Sequence, residues 1–218
     1  HIDITNAKHA LVELMLSAAC DMKRTAVTDS AVREVIAGGK CIVFTARRKQ
    51  CEIWADAIER DSAKFKRGDF QIDAQPEVRW VHGGSTEKER WAAIDWFKRT
   101  PSHCCLVSTG QALGTSYDGM QSATRMIMAM LPHKPGAFQQ QRGRVDRLGG
   151  TGTLLEVILA RESYDEKVVA CLGGKIKSVQ DFLTADDLDG VADKLRGLPS
   201  LDEVADSIYD MIAAQYAS

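Results

Sequence analysis

The sequence lacks several features that would each assign a chain to a particular class of protein. No apolar run approaches the roughly 20 residues that a membrane-spanning helix requires, so we expect neither a membrane span nor a secretory leader. Glycine (17) and proline (5) occur in ordinary numbers for 218 residues, which excludes a collagen-like or low-complexity chain. The six cysteines form no C-x-x-C pair, and the five histidines are scattered. We therefore expect reduced core thiols, no zinc site and a cytoplasmic location.

Phosphate-binding loops are also missing. The sequence contains no G-x-x-x-x-G-K-[ST] and no G-x-G-x-x-G, and at Gly38–Cys41 a cysteine occupies the position where such a loop needs a hydroxyl. The tetrapeptide Asp202–Ala205 looks like a magnesium-binding acidic box, but it does not follow an apolar strand. Because Ser200 precedes it at capping distance, we interpret it as the start of a helix. The sequence thus predicts no phosphate-cradling loop in this chain.

The net charge of −2 hides an asymmetry along the chain. Residues 1–150 carry 22 basic and 17 acidic side chains, whereas residues 151–218 carry 6 basic and 13 acidic ones. A mildly basic body with an acidic tail is compatible with nucleic-acid binding but does not require it.

Short apolar segments alternate with amphipathic ones along the first 160 residues. This alternation predicts an α/β fold in which helices cover both faces of a parallel sheet. From residue 163 the chain becomes helical and acidic, so we predict a domain at 1–162 and a helical C-terminal extension at 163–218. The predicted strands are 41–45, 78–81, 103–108, 124–131 and 153–159, and the predicted helices are 7–20, 28–36 (capped by Asp29), 47–60 and 86–98.

The strongest chemical signal is an arginine-rich segment at Gln140–Gly149. If this segment is helical, Arg144 and Arg147 lie on one face and can direct two planar guanidinium groups at a single anion. Such a pair suits a polyphosphate, because arginine stays charged and binds oxygen pairs bidentately. The spacing alone fits a solvated basic surface at least as well.

The order of motifs around this segment resembles that of one family. The pattern Q-x-x-G-R-x-x-R-x-G at Gln140–Gly149 resembles motif VI of superfamily 2 helicases, and the run from Leu106 to Gly149 is similar to the second RecA-like lobe of SNF2-like DNA translocases. The resemblance covers residues 8–180 and implies a RecA-like fold. Further similar segments are Lys40–Thr45 (motif IV), His82–Thr86 with Arg90, Leu106–Thr109, Gly114–Asp118 (motif V) and Ser163–Lys167.

The resemblance implies ATP and magnesium as cofactors of a two-lobed enzyme. ATP would lie between this lobe and an N-terminal RecA-like lobe of the same polypeptide, which would hold the metal ion. Arg144 and Arg147 would be catalytic, as arginine fingers on the γ-phosphate. We expect this lobe alone to be inactive. By the same resemblance, the residues on the nucleotide side would be Gln140, Gly143, Asp118 and Gly114.

The resemblance also implies DNA as a partner, in duplex form and bound independently of sequence. Small polar residues at strand ends let a phosphate backbone approach closely, although each of them also fits ordinary turn and cap chemistry. We interpret Trp80, Trp91 and Trp96 as core or interface residues rather than base-stacking platforms. The expected DNA contacts are Thr45, Arg47, Gly83, Ser85, Ser108, Thr109 and Gln111.

Some residues depart from the SNF2 pattern. Asp146, Met130 and His133–Lys134 differ from the usual residues, which favours a bacterial or phage relative. Two alternatives stay open, a lobe of an unwinding helicase or restriction-type translocase, and a non-catalytic nucleic-acid-binding module. The start at His1 and the missing phosphate loop lead us to expect a piece of a longer protein. The sequence predicts neither the oligomeric state nor whether strands are separated.

Overall fold

The computed structural model describes residues 4–45, 47–65, 76–110, 112–113, 119–132, 141 and 152–169. These residues form three helices, five strands and a helical turn at 164–169. The chain divides into two compact units, and the strands lie in the unit made of residues 22–132 and 136–159. The elements in chain order are α1 (Ile4–Ile36), β1 (Lys40–Thr45), α2 (Arg48–Lys64), β2 (Glu77–Val81), α3 (Glu87–Arg99), β3 (Cys104–Thr109), β4 (Arg125–Met128) and β5 (Leu154–Val157).

The five strands form one parallel sheet in the order β2-β3-β1-β4-β5. Every residue of the central strands β1 and β3 is buried, whereas the edge strands β2 and β5 are largely exposed or half-buried. Central strands with both faces covered read as continuous apolar runs, which is why the sequence located them within a few residues. The predicted α/β, RecA-like parallel sheet is confirmed.

Helices cover both faces of this sheet. On one face, Ile94 and Phe97 of α3 join Ile42, Phe44 and Leu106 in a continuous buried cluster. Crossovers between parallel strands are right-handed, and the chain moves outward along the sheet through α2 and back through α3. The two helices therefore lie on opposite faces. The side of α2 that is buried includes Cys51, Trp54, Ala55 and Ile58.

The first helix is a single element of 33 residues, so the predicted break between residues 20 and 28 is wrong. No glycine or proline interrupts Ile4–Ile36, and buried Val27 and Val35 continue the apolar side into its last turns. Asp29 lies inside the helix and is exposed, and its backbone carbonyl accepts a hydrogen bond from Arg33 Nε at 3.2 Å. Its side chain therefore does not begin a second helix.

Polar groups at the amino edge of the sheet, where all five strands begin, are joined to one another. Arg125 at the start of β4 donates from Nε to Glu34 of α1 and from Nη1 to Glu156 of β5, each at 2.8 Å. The Thr124 hydroxyl accepts from the Lys40 backbone N–H at 2.8 Å and donates to Glu34. This network fixes the last turns of α1 to three strands.

A buried lysine links the same edge to α3. The Lys40 ammonium donates to the carbonyl oxygens of Phe97 (2.5 Å) and Thr100 (2.7 Å), at the carboxyl end of α3. It also lies 4.6 Å from the centroid of the Phe97 ring. Burial lowers the pKa of Lys40. Lys40, the first residue of β1, thus caps the carboxyl end of α3.

The cysteines among the described residues are buried thiols that form no disulfide, as predicted. Burial raises the pKa of Cys51 and of Cys104 to about 12, so both remain thiols. Burial also raises the pKa of Cys41 well above its ordinary value. Cys171 lies outside the described residues.

Among the described residues, no helix combines the length and the apolar character that crossing a bilayer would need.

Candidate functional site

Two threonines end the central strands at the carboxyl edge of the sheet, where all five strands finish. Thr45 of β1 and Thr109 of β3 are directly opposite each other in the parallel register, and both are buried. Neither Oγ1 atom has a hydrogen-bond partner in the part of the chain that the structure describes. Leaving a buried hydroxyl unpaired costs about 1–3 kcal/mol. The two unpaired hydroxyls therefore lower the stability of the fold, and they are available to hydrogen-bond a ligand.

The start of α2 lies beside these threonines and is positively charged. Its N-cap residue, Arg47, makes no side-chain capping bond, and the first turn contains no acidic residue. The helix macrodipole and the unpaired N–H groups of the first turn favour an anion there, and exposed Arg48 and Lys49 reinforce this preference. The same helix packs against β3, the strand that Thr109 ends.

Two buried glutamines add further unpaired oxygens at this edge. Gln50 lies in the first turn of α2, and Gln141 lies against Gly110, the residue that follows β3. A β-carbon on Gly110 would approach Gln141 Nε2 to 1.9 Å, so only glycine leaves room for the amide. Among the described residues neither Oε1 atom finds a partner. Because Gln141 belongs to the arginine-rich segment, that segment meets the carboxyl edge at this residue.

The loop between β2 and α3 is a tight turn closed by its own side chains. The His82 backbone N–H donates to Ser85 Oγ at 3.1 Å, and the Gly84 N–H donates to His82 Nδ1 at 3.0 Å. Thr86 and Glu89 form a capping box, in which Thr86 N–H donates to Glu89 Oε2 at 2.7 Å and Glu89 N–H donates to Thr86 Oγ1 at 3.2 Å. The bond from the Thr86 backbone lowers the pKa of Glu89.

The Arg48 side chain joins the start of α2 to this loop. A β-carbon on Gly84 would come within 2.9 Å of Arg48 Nη1 and 3.1 Å of His82 Cε1. The missing side chain at Gly84 therefore lets a guanidinium and an imidazole approach the backbone together. Gly83 is exposed with open space around it. We call the start of α2 (residues 47–49) together with the loop 82–86 the basic rim.

The structure brings several predicted contact residues to one edge. Thr45 and Thr109 are adjacent, while Ser108 is buried and donates from Oγ to the Thr109 carbonyl at 3.0 Å. Arg47 precedes α2, and Gly83 and Ser85 lie in the loop after β2; these residues contribute to the basic rim. The predicted residues that lie outside the described ones are Arg144, Arg147, Gln140, Gly143, Asp118, Gly114 and Gln111.

Sequence reasoning did not assign Gln50 or Gln141 to this edge, and it did not show the contact that Arg48 makes. Gln50 lies at i−4 from buried Trp54, so its place in the apolar pattern of α2 was a usable signal of burial. Gln141 adjoins a residue that the family pattern contains, but nothing in the sequence shows its approach to Gly110. The contact of Arg48 with Gly84 joins residues that are far apart in the chain, so spacing alone cannot show it.

No metal centre is formed by the described residues. They contain no group of three or more histidine, cysteine, aspartate or glutamate side chains placed to hold an ion. The polar atoms at the carboxyl edge are hydroxyl, amide and guanidinium groups. Such groups suit hydrogen bonds to phosphate oxygens better than coordination of a divalent cation.

Comparison with known families identifies the domain. Residues 23–149, more than half of the chain, match the family model for the helicase conserved C-terminal domain. The chain belongs to this family. The helicase C-terminal domain includes β1–β4, both threonines of the carboxyl edge and the arginine-rich segment. No curated protein is similar enough in sequence to count as a match.

Solved helicase structures share the fold at low sequence identity. The helicase MrfA, bound to DNA and AMPPNP, gives a TM-score of 0.56 at 22% identity over 71% of this chain and 20% of its own. Dbp5 of S. cerevisiae, bound to RNA and ADP BeF3, gives 0.51 at 18% identity over 70% and 36%. Lhr of Mycobacterium smegmatis, bound to ssDNA and AMP-PNP, gives 0.51 at 16% identity over 71% and 19%. The chain thus spans about a fifth to a third of these proteins.

Proposed function

We propose that this chain is the second motor lobe of an ATP-dependent, SNF2-like DNA translocase or helicase. An N-terminal RecA-like lobe of the same polypeptide holds most of the ATP and its magnesium ion. The lobe described above supplies Arg144 and Arg147 to the γ-phosphate and holds DNA by its backbone. The protein acts in the cytoplasm of a bacterium or of a phage-infected cell.

The contact between Gln141 and Gly110 carries this proposal. It places Gln141, the second residue of the arginine-rich segment, at the same sheet edge as the unpaired hydroxyls of Thr45 and Thr109. Ligands of open α/β sheets bind beyond the carboxyl ends of the strands. A nucleotide beside the segment and a nucleic acid beside the threonines would then share one edge, which allows each to influence the other.

The chemistry of the arginine pair fits phosphoryl transfer. The γ-phosphoryl group passes through a transition state with charge spread over three oxygens, and a guanidinium stabilises that charge without changing protonation. The nucleotide analogues bound to MrfA and Lhr support ATP as the nucleotide. The proposal assigns magnesium to the other lobe.

The basic rim fits a nucleic-acid backbone. The start of α2 offers helix N–H groups, Arg48 offers a charged fork, and the small residues at 83–85 let a phosphate come close. These contacts depend on phosphate and not on base identity, which suits a protein that moves along a strand. The DNA and RNA bound to the neighbouring helicases support this class of partner.

ATP binding between two such lobes would couple chemistry to movement. Arginines of one lobe that touch the γ-phosphate on the other favour a closed arrangement while that phosphate is present. Loss of the γ-phosphate removes the contact that stabilised the closed arrangement, and the two lobes then separate. Repeated closing and opening moves the backbone contacts of the basic rim along the DNA.

The experiment that tests the proposal uses a protein in which this chain is joined to its nucleotide-binding lobe. We expect Arg147→Ala to lower DNA-stimulated ATP turnover by about 10³- to 10⁵-fold, with the melting temperature unchanged. Arg99→Ala is the matched control, because Arg99 ends α3 on the surface and pairs with Asp95. We expect normal turnover from that variant.

Two results would contradict the proposal. Near-normal turnover of the Arg147→Ala protein would exclude the arginine as a finger. DNA binding without ATP turnover in every longer form of the protein would indicate a non-catalytic nucleic-acid-binding module instead.

A further inference from the structure

We propose that Trp80 and His82 form a stacking platform for an unpaired nucleobase beside the basic rim. This inference rests on the proposed function, because it extends the backbone contacts proposed there to single-stranded DNA. It concerns the outer face of the edge strand β2, on which none of the predicted site residues lies.

Trp80 is placed as a surface aromatic and not as a core residue. Of the two predicted positions, core or interface, the exposure of 38% on the edge strand leaves the interface position. Its ring lies 5.3 Å from the His82 ring at an interplanar angle of 32°. The exposed part of the Trp80 ring is unfavourable in water, and no described residue packs against it. The exposed rings of Trp80 and His82 together offer a surface on which the flat ring of a nucleobase can stack.

A groove of suitable size adjoins this pair. It has a volume of about 580 Å³, within the range of roughly 300–1,000 Å³ that small-molecule pockets show. Residues of β2 and of α3 line it, among them Trp80, Val81, His82 and Ala93. The groove thus combines apolar and aromatic side chains with the polar side chains of Arg79, Ser85 and Glu89.

Charge divides the groove into a phosphate end and a base end. At one end, Arg48 and the His82 ring both lie against Gly84, so a phosphate placed there meets a guanidinium. Along the wall, Glu89 presents a carboxylate, which excludes a phosphate but not a neutral base. Arg79 also lines the groove, but its guanidinium lies over the Trp96 ring at 4.6 Å. One nucleotide with its phosphate at Arg48 and its base on Trp80 pairs the Arg48 guanidinium and keeps the phosphate away from Glu89.

This arrangement favours single-stranded DNA over duplex DNA at this position. A base within a duplex is stacked between its neighbours and cannot present its face to a side chain, whereas an unpaired base can. A protein that holds an unpaired base beside its backbone contacts would bind a single-stranded DNA tail or one strand of a separated duplex.

The test measures the binding of two 20-nucleotide probes to the 218-residue chain, oligo-dT and an abasic strand with the same phosphates. We expect Trp80→Ala to weaken oligo-dT binding by about 5- to 100-fold and to leave the abasic strand unchanged. Trp80→Phe, which keeps a flat ring, should retain most of the affinity. Phe65→Ala is the control, because Phe65 is an exposed aromatic residue at the other end of α2.

The outcomes separate this inference from the proposed function. If the wild-type chain binds neither probe, both fail. If it binds both probes equally and Trp80→Ala changes nothing, or weakens both probes alike, only the stacking platform fails. Should Trp80→Ala not fold, tryptophan fluorescence decides: oligo-dT must quench the wild type more than the Trp80→Phe chain, and equal quenching overturns the platform.

Discussion

The two edges of the sheet differ in how completely their polar groups are paired. At the amino edge, Arg125 bonds two carboxylates, and the Thr124 hydroxyl both accepts and donates. At the carboxyl edge, the hydroxyls of Thr45 and Thr109 are buried more deeply than that of Thr124 but have no partner among the described residues. A threonine hydroxyl is therefore hydrogen-bonded at the amino edge and left unpaired at the carboxyl edge.

This difference indicates which edge stabilises the fold and which edge is available to a ligand. Paired groups at the amino edge hold α1 and α3 to the strands and leave nothing for a ligand. Unpaired buried groups at the carboxyl edge lower stability, and a chain tolerates them where function requires them. The comparison yields three predictions, which the variants below would confirm or contradict.

The largest effect is expected from breaking the amino edge. Arg125→Ala leaves Glu34 and Glu156 without their shared cation, and we expect the free energy of unfolding to fall by about 2–4 kcal/mol. Urea unfolding measures this loss. Nucleic-acid binding under folding conditions should not change. Removal of the exposed pair through Arg99→Ala should cost less than about 1 kcal/mol, and an equal loss from both variants would contradict the comparison.

A matched pair of threonine variants tests the comparison most directly. Thr124→Val removes an acceptor for the Lys40 N–H and a donor to Glu34, so we expect a loss of about 2 kcal/mol in unfolding free energy. Thr45→Val removes only an unpaired hydroxyl and should be neutral or stabilising by up to about 1 kcal/mol. Thr45→Val should instead weaken binding of the abasic strand by about fivefold.

The opposite pattern would overturn the assignment of the two edges. If Thr45→Val destabilises the chain as much as Thr124→Val does, then the Thr45 hydroxyl is paired in solution. If binding is unchanged as well, the carboxyl edge is not where the backbone lies.

The smallest effect concerns Gly110. An alanine there displaces the Gln141 amide, the flexible end of a side chain, so we expect a loss of only about 1 kcal/mol in unfolding free energy. In a Gln141→Ala background the same Gly110→Ala change should be neutral. A double-mutant cycle by urea unfolding measures the coupling, and a coupling of zero would show that the two residues do not touch.

The sheet was predictable from the sequence because its central strands are apolar on both faces. Cys41–Thr45 and the run that begins at His103 are continuous and bounded by polar or glycine residues, so length and composition located them. The edge strand β2 was found through Val78 and Val81, although most of its residues face solvent. The extent of α1 was not predicted, because its middle turns combine polar and buried positions without a clear period.

The candidate site was predictable only where it follows strands. The carboxyl ends of parallel strands share one edge, so Thr45 and Thr109 were expected to lie near each other. Their lack of partners depends on the packing of α2, which no local pattern encodes. The exposure of Trp80 was not predictable, because only the strand order shows that β2 is an edge. The roles of Arg144 and Arg147 stay predictions.

Lys40 has a consequence for how the edge strand behaves. A helix that follows an edge strand commonly detaches with it, since few other elements hold the pair. Here the carboxyl end of α3 is bonded to the ammonium of the central strand, and detachment would leave that buried charge without its acceptors. We therefore expect the β2–α3 pair to open only when the middle of the sheet does, so that the loop 82–86 keeps a fixed position relative to β1.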